Sequence, residues 1–294
     1  MVLDVHCHVV PPEIAGDPAS FGRLDPHFDQ MLRTKGVRFC TGDDLIRDMA
    51  QDGVDRVVAF GFGFKDVAVS RLQNDYSLSI ARAYPGKVAA MAVLDPEAPG
   101  ALLEAERCLA QGACGFGELF PAGHGFLLEG EGMSRLTGLA REAGVPLLIH
   151  VNEQLGHEYP GKGVTGPAEA YSFAHKNPRT TVIFAHFGGG LPFYASMPEV
   201  LALPNAYYDT AAQPYLFKSQ VYRSLSVLGI LPKILLGSDY PLLSCKRYIH
   251  EVEKSCLTPE EAKGVLWDNA WSIFARFFTS GHRGNLPGGA NNLD

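Results

Sequence analysis

Two histidines one residue apart, His6 and His8, close an apolar run near the start of the chain, and Glu118, His150, His186 and Asp239 each close another. Imidazole nitrogens and carboxylate oxygens are the donors that hold zinc and related divalent ions. A lone histidine at such a position is more often a hydrogen-bonded filler than a ligand. Residues of ligand type at the ends of five separate runs point instead to one shared metal site, made of His6, His8, Glu118, His150, His186 and Asp239. Its chemistry would be that of a divalent ion, with zinc expected and manganese or iron tolerated by the same donors, as one ion or two.

The elements that must position these residues are short β-branched and apolar runs. Strands are predicted at 2–8, 56–62, 88–94, 112–119, 145–151, 181–187, 206–212 and 233–239, with helical stretches between them. Runs such as VPLLIHV are apolar on both faces, as a parallel sheet wrapped by helices requires. Thr41 with Asp44 and Thr258 with Glu261 have capping-box spacing, and Gly144 is placed to stop a helix in the left-handed region. Eightfold alternation predicts an α/β fold, a (β/α)8 TIM barrel of parallel strands, over a doubly wound open sheet. Every candidate ligand then faces the C-terminal mouth. Alternation along the first strand sends His6 and His8 into the barrel, and Val5 and Cys7 toward the helices.

A chain of 294 residues with 46% hydrophobic and 19% charged residues suits a large globular core. The reading is a single domain over 1–280 and a disordered tail over 281–294. A net charge of −7 without a basic run argues against nucleic acid and anionic membranes as partners. No signal-like segment or membrane-length apolar run is present, so a cytoplasmic protein is expected. The partner is a small-molecule substrate, and a homo-oligomer is compatible with the sequence. The six cysteines lack Cys-x-x-Cys spacing and read as reduced thiols.

The motifs VLDVHCH, LLIH, FAHFGGG, YYDTAA, LLGSDYP and DNAWSIFARF, in this order from residue 2 to about 278, resemble the amidohydrolase superfamily, in particular its amidohydrolase-2 branch of metal-dependent hydrolases and decarboxylases. The resemblance implies that His6 and His8 bind the more buried metal and that His150 and His186 are ligands, or a ligand and a catalytic imidazole. It implies that Asp239 binds metal and moves protons. Asp239 and His186 are therefore the expected catalytic residues. Glu118, in GFGELF, occupies the position of a bridging carboxylate in binuclear members and is similar to the Gly-Glu of TatD-type hydrolases. Its bland alternative is a buried acid paired with a cation such as Lys162.

Two long loops, Val10 to Cys40 and Glu153 to Pro167, read as lids or binding elements. Glu153, His157, Tyr159 and Lys162 in the second are the candidate substrate-binding residues, although a solvated surface loop has the same composition. Gly188, Gly189 and Gly190 either present N–H groups to an oxyanion or make a tight turn. Asp209 reads as a partner that orients a ligand histidine. Arg23, His27 and His124 lie in loops, with no place fixed by the sequence.

The expected function is a metal-dependent hydrolase that uses metal-activated water on an amide, lactone or similar carbonyl of a small polar substrate. Its first rival is a mononuclear, non-oxidative decarboxylase of the same superfamily with His186 as acid or base. A TatD-like phosphoesterase and a barrel that binds without turnover are weaker alternatives.

Overall fold

The computed structural model describes residues 1–34, 36–159 and 162–279. The expected tail at 281–294 lies outside the described residues. The strands are β1 (Leu3–His8), β2 (Arg56–Phe60), β3 (Val88–Ala90), β4 (Phe116–Leu119), β5 (Leu147–Ile149), β6 (Val182–Phe184), β7 (Ala206–Asp209) and β8 (Ile234–Leu235). They are the eight predicted runs in the predicted order, each shortened at one end or both.

All neighbours are parallel, in one ladder β1-β2-β3 and another β4-β5-β6-β7-β8. Single bridges join the two ladders, Ala92 with Phe116 on one side and Cys7 with Tyr240 on the other. At the second seam His8 N–H donates to the Tyr240 carbonyl at 2.7 Å and Val5 N–H to that of Leu236 at 2.9 Å. With helices between successive strands, this is a (β/α)8 TIM barrel.

Local chemistry starts and stops the helices as expected. Thr41 and Asp44 close a reciprocal capping box on Gly42–Asp52, as do Thr258 and Glu261 on Pro259–Lys263. Gly144 ends Glu131–Ala143 at φ 64°. The residues between strands and helices form one apolar layer, and a second cluster fills the barrel. Trp267, Ala270, Phe274 and Phe278 plug the floor of the barrel beneath Leu3 and Val5.

The first strand departs from strict alternation. Its register against β2 shifts between Asp4 and Cys7, a β-bulge. Cys7 lies on the helix side as predicted, but Val5 joins the barrel interior. The bulge changes the phase of the strand once, so Val5 and His6 both face inward and the expectation for Val5 is corrected.

The first long loop is built rather than slack. It carries three short helices, Pro12–Gly16, Pro18–Gly22 and Pro26–Leu32, each with proline in its first turn where the absent N–H costs nothing. Val10, Ile14 and Phe28 pack with Phe64 and Val69 beneath them. The second loop has neither helix nor strand among its described residues up to Gly166, and Pro167 already opens the helix Pro167–Lys176. Among the described residues no helix is long and apolar enough to cross a membrane.

Candidate metal centre

All six predicted ligands converge at the C-terminal mouth. His6 and His8 end β1, Glu118 lies in β4, and His150, His186 and Asp239 follow β5, β6 and β8 within a few residues. They form two triads, His6 with His8 and Asp239, and Glu118 with His150 and His186. His6 Nε2 is 3.2 Å from His8 Nε2, and Asp239 Oδ1 is 3.5 Å from each. In the second triad His150 Nδ1 is 2.7 Å from Glu118 Oε1 and 3.2 Å from His186 Nε2.

Glu118 belongs to both triads. Its Oε2 lies 3.6 Å from His6 Nε2 and 3.5 Å from His8 Nε2, while Oε1 faces His150 at 2.7 Å and His186 at 3.5 Å. The alternative pairing with Lys162 does not occur, because the Lys162 amino group stands near Glu153 and Glu158, at 3.8 and 3.4 Å.

The donor set fits divalent ions. Ligand atoms about 2.1 Å from a tetrahedral ion stand about 3.4 Å apart, close to the 3.2 to 3.6 Å found between the donors here, apart from the closer His150–Glu118 pair. The far nitrogens of three histidines are engaged outside the cluster. His6 Nδ1 pairs with Asp209 Oδ2 at 2.8 Å, His8 Nδ1 with the Gly61 carbonyl at 3.1 Å, and His186 Nδ1 with the Ala211 carbonyl at 3.2 Å. Each acceptor requires a proton on Nδ1, which leaves Nε2 of the neutral ring as a lone pair aimed inward. Lone pairs and carboxylates facing one another in a buried space repel unless a cation lies among them.

Without an ion, protons take that role. Burial disfavours a charged His6, but Asp209 and Glu118 outweigh it and hold its pKa well above the ordinary histidine value. His186 is pushed up to about 9: burial opposes the charge, and the hydrogen bond to Glu118 and the nearby Asp239 prevail. Burial alone would raise Glu118, yet His150 and His6 hold it well below the usual carboxylate range.

Two aromatic rings flank the donors. Phe62 stacks on His8 with centroids 4.2 Å apart, and Phe120 leans on His150 at 4.1 Å. His27, delivered by the third short helix, meets Phe120 edge-on at 4.2 Å. Burial and the neighbouring His150 and His124 lower its pKa to about 4. His124 is buried behind it, 3.6 Å from Asp25. No residue type or spacing in the sequence marks Phe62, His27 or His124 for this place, and Phe120 is marked only by standing two positions beyond the candidate ligand Glu118.

The second loop is placed less directly. Tyr159 donates to Glu153 Oε2 at 3.1 Å and lies 3.1 Å from Asn152 Nδ2. Lys162 donates to the carbonyls of Leu155 and His157, at 3.3 and 3.2 Å, and His157 is exposed with its ring 5.8 Å from that of Tyr159. Asp209 is the orienting partner expected of it, receiving His6 and the backbone N–H of His186. The glycines after His186 make a tight turn: Gly188 packs on Tyr208, and Gly189, at φ 63°, packs on the Asn152 carbonyl.

The family model described as amidohydrolase matches residues 3–276. The chain belongs to the amidohydrolase family. This amidohydrolase is similar in fold to 5-carboxyvanillate decarboxylase from Sphingomonas paucimobilis, with a TM-score of 0.73 at 14% identity over 93% of this chain and 98% of that one. A dihydroxybenzoic acid decarboxylase from Polaromonas, with bound manganese and the inhibitor 2-nitroresorcinol, gives 0.69 at 17% identity over 94% and 97%. A probable 2-pyrone-4,6-dicarboxylic acid hydrolase from Acinetobacter baumannii, with bound citric acid, gives 0.63 at 15% over 93% and 99%. A comparison with curated proteins gives no match. The family and the donor set together support a divalent metal in this amidohydrolase.

Proposed function

We propose that this amidohydrolase is a two-ion, metal-dependent hydrolase acting on an amide, lactone or similar carbonyl of a small polar molecule, within one domain spanning 1–280. The observation that carries the reading is the division of Glu118, with one oxygen toward His6 and His8 and the other toward His150 and His186. A carboxylate shared in this way is needed to bridge two ions and is superfluous for one. His6, His8 and Asp239 would hold the first ion, His150 and His186 the second, and Glu118 both. Zinc suits the four imidazoles best.

Bound divalent ions supply a Lewis acid for the carbonyl and a water of lowered pKa. The remaining work falls to side chains. Asp239, 17% exposed, is the carboxylate placed to take a proton from water and return it to the leaving group. Asp209, Gly61 and Ala211 keep the lone pairs of His6, His8 and His186 aimed inward. Phe62 against His8 and Phe120 against His150 give the site two apolar faces beside its donors. In the second loop Tyr159 and Glu153 would meet substrate first, being linked to the site through Asn152, with Lys162 beside Glu153 and His157 exposed farther out.

A second reading, non-oxidative decarboxylation with one ion and His186 as the proton carrier, is favoured by the decarboxylases among the similar structures. At 14 to 17% identity that likeness concerns the fold, and it does not choose the reaction. Metal analysis of protein made without added metal, paired with a panel of lactones, amides and aromatic carboxylates, separates the two. Two ions per chain with hydrolysis of a lactone or amide is the expected result; one ion with release of carbon dioxide overturns it.

A further inference from the structure

We propose that Asn152 is the positioning residue that makes His150 present Nδ1 to the second ion, and that Tyr159 ties this constraint to the loop after β5. The inference rests on the two-ion reading and extends it to residues outside the ligand set.

His150 is the exception among the four imidazoles. His6, His8 and His186 turn Nε2 toward the cluster, but His150 turns Nδ1 inward, toward Glu118 and His186, and Nε2 outward. The outward nitrogen lies 3.0 Å from Asn152 Oδ1. Whether that contact fixes the ring depends on which end of the amide faces it, and the backbone decides this. The N–H of Gly163 points at the same Asn152 atom from 2.5 Å. A backbone N–H only donates, so the atom it meets must be the oxygen.

An amide oxygen only accepts. His150 Nε2 must therefore carry a proton, and Nδ1, which without an ion donates to Glu118 Oε1 at 2.7 Å, is the nitrogen whose lone pair would face an ion held between Glu118 and His186 in place of that proton. The other end of the amide donates to the Tyr159 hydroxyl at 3.1 Å, which donates to Glu153 Oε2 at 3.1 Å. Rotating the amide by half a turn would set its NH2 against the Gly163 N–H and lose that bond.

Asn152 is itself held on two sides. It is 2% exposed, and its N–H donates to the Thr165 carbonyl at 2.9 Å. Its carbonyl packs so closely on Gly189 that a Cβ there would come within 2.3 Å. The turn after β6 thus holds the Asn152 backbone, the loop after β5 holds its side-chain amide through Gly163, and that side-chain amide sets the donor nitrogen of His150.

The direct test is nitrogen NMR of histidine-labelled protein loaded with cadmium-113. Metal coupling to His150 Nδ1 and a proton on Nε2 are expected; coupling to Nε2, or a proton on Nδ1, overturns the inference. Variants supply an independent readout. Asn152→Leu, which removes the acceptor, should weaken the second ion roughly 10- to 100-fold and leave the first unchanged. Asn152→Asp, which keeps an acceptor for both donors, should retain both ions within a few-fold. Wild-type retention of both ions in Asn152→Leu overturns the inference, as does equal weakening of the two, which would mark a general loosening. If Asn152→Leu does not fold, the cadmium spectrum and Asn152→Asp still decide. A wild-type chain that takes up one ion overturns the two-ion reading, and the protonated nitrogen of His150 then decides the inference by itself.

Discussion

His6 Nδ1 lies 2.8 Å from Asp209 Oδ2, with both side chains fully buried although the two residues are 203 positions apart in the chain. Asp209 Oδ1 also receives the N–H groups of His186 and Ala211, each at 3.0 Å. Three donors on two oxygens need a carboxylate, because an amide would turn its own N–H toward one of them. Asp209→Asn should weaken the first ion roughly 10- to 100-fold in competition with a coloured chelator. It should also lower the stability of the metal-free protein by about 1–3 kcal/mol in urea. A variant unchanged in both measurements would show that the contact orients nothing.

Asp239→Asn separates holding from proton transfer. The amide oxygen can still face His6 and His8 from the position now 3.5 Å away, but it cannot take a proton. The expected outcome is a kcat lower by roughly 10²- to 10⁴-fold, with most of the metal content kept. Undiminished kcat in a metal-loaded variant would remove Asp239 from the chemistry.

The metal-free protein should lose stability as pH rises. His186 is raised to about 9 in the folded chain, against about 6.5 when unfolded. A raised pKa contributes stability that is fully present below about pH 6.5 and lost as pH climbs through about 9. Glu118, held low, contributes in the opposite window, present above its unfolded value and lost in acid. The melting temperature of chelator-treated protein should therefore decline between about pH 6.5 and 9.5. Ions in place of the protons should abolish the decline, and their uptake should release protons, seen as a buffer-dependent binding heat. A flat profile for the metal-free protein would contradict this account.

Gly117→Ala is expected to damage the bridge without touching a ligand. Gly117 holds φ 142°, and a Cβ there would stand 2.4 Å from the Leu148 carbonyl oxygen. β4 must move away from β5, carrying Glu118 with it. Thermal melting should show a loss of about 1–3 kcal/mol, and metal analysis a reduced uptake of both proposed ions, since both would share that carboxylate.

The fold was legible because each strand is a nearly continuous apolar run, and burial on both faces leaves little freedom about where such a run goes. The candidate site was legible for a related reason, since five of the eight runs carry at or near their ends a residue that an apolar interior does not otherwise call for. Val5 shows the limit. Period-two alternation contains no sign of the bulge between Asp4 and Cys7, and one extra residue reversed the face assigned to it. Asn152 shows another limit: in the sequence it is one polar residue beyond a strand end, and its role depends on Gly163 arriving 11 positions later with a backbone N–H. The hydrogen bonds that hold His8 and His186 go to the carbonyls of Gly61 and Ala211, groups every residue possesses, so no residue type announces them.

The seam where the barrel closes runs between β1 and the segment after β8, and the proposed first site straddles it, with His6 and His8 on one side and Asp239 on the other. During synthesis these residues leave the ribosome more than two hundred positions apart. Metal capture by the complete ligand set must therefore wait until the last strand has emerged and docked. The ion would then report that β8 has docked, since any product that ends before Asp239 lacks the residue that completes the clasp.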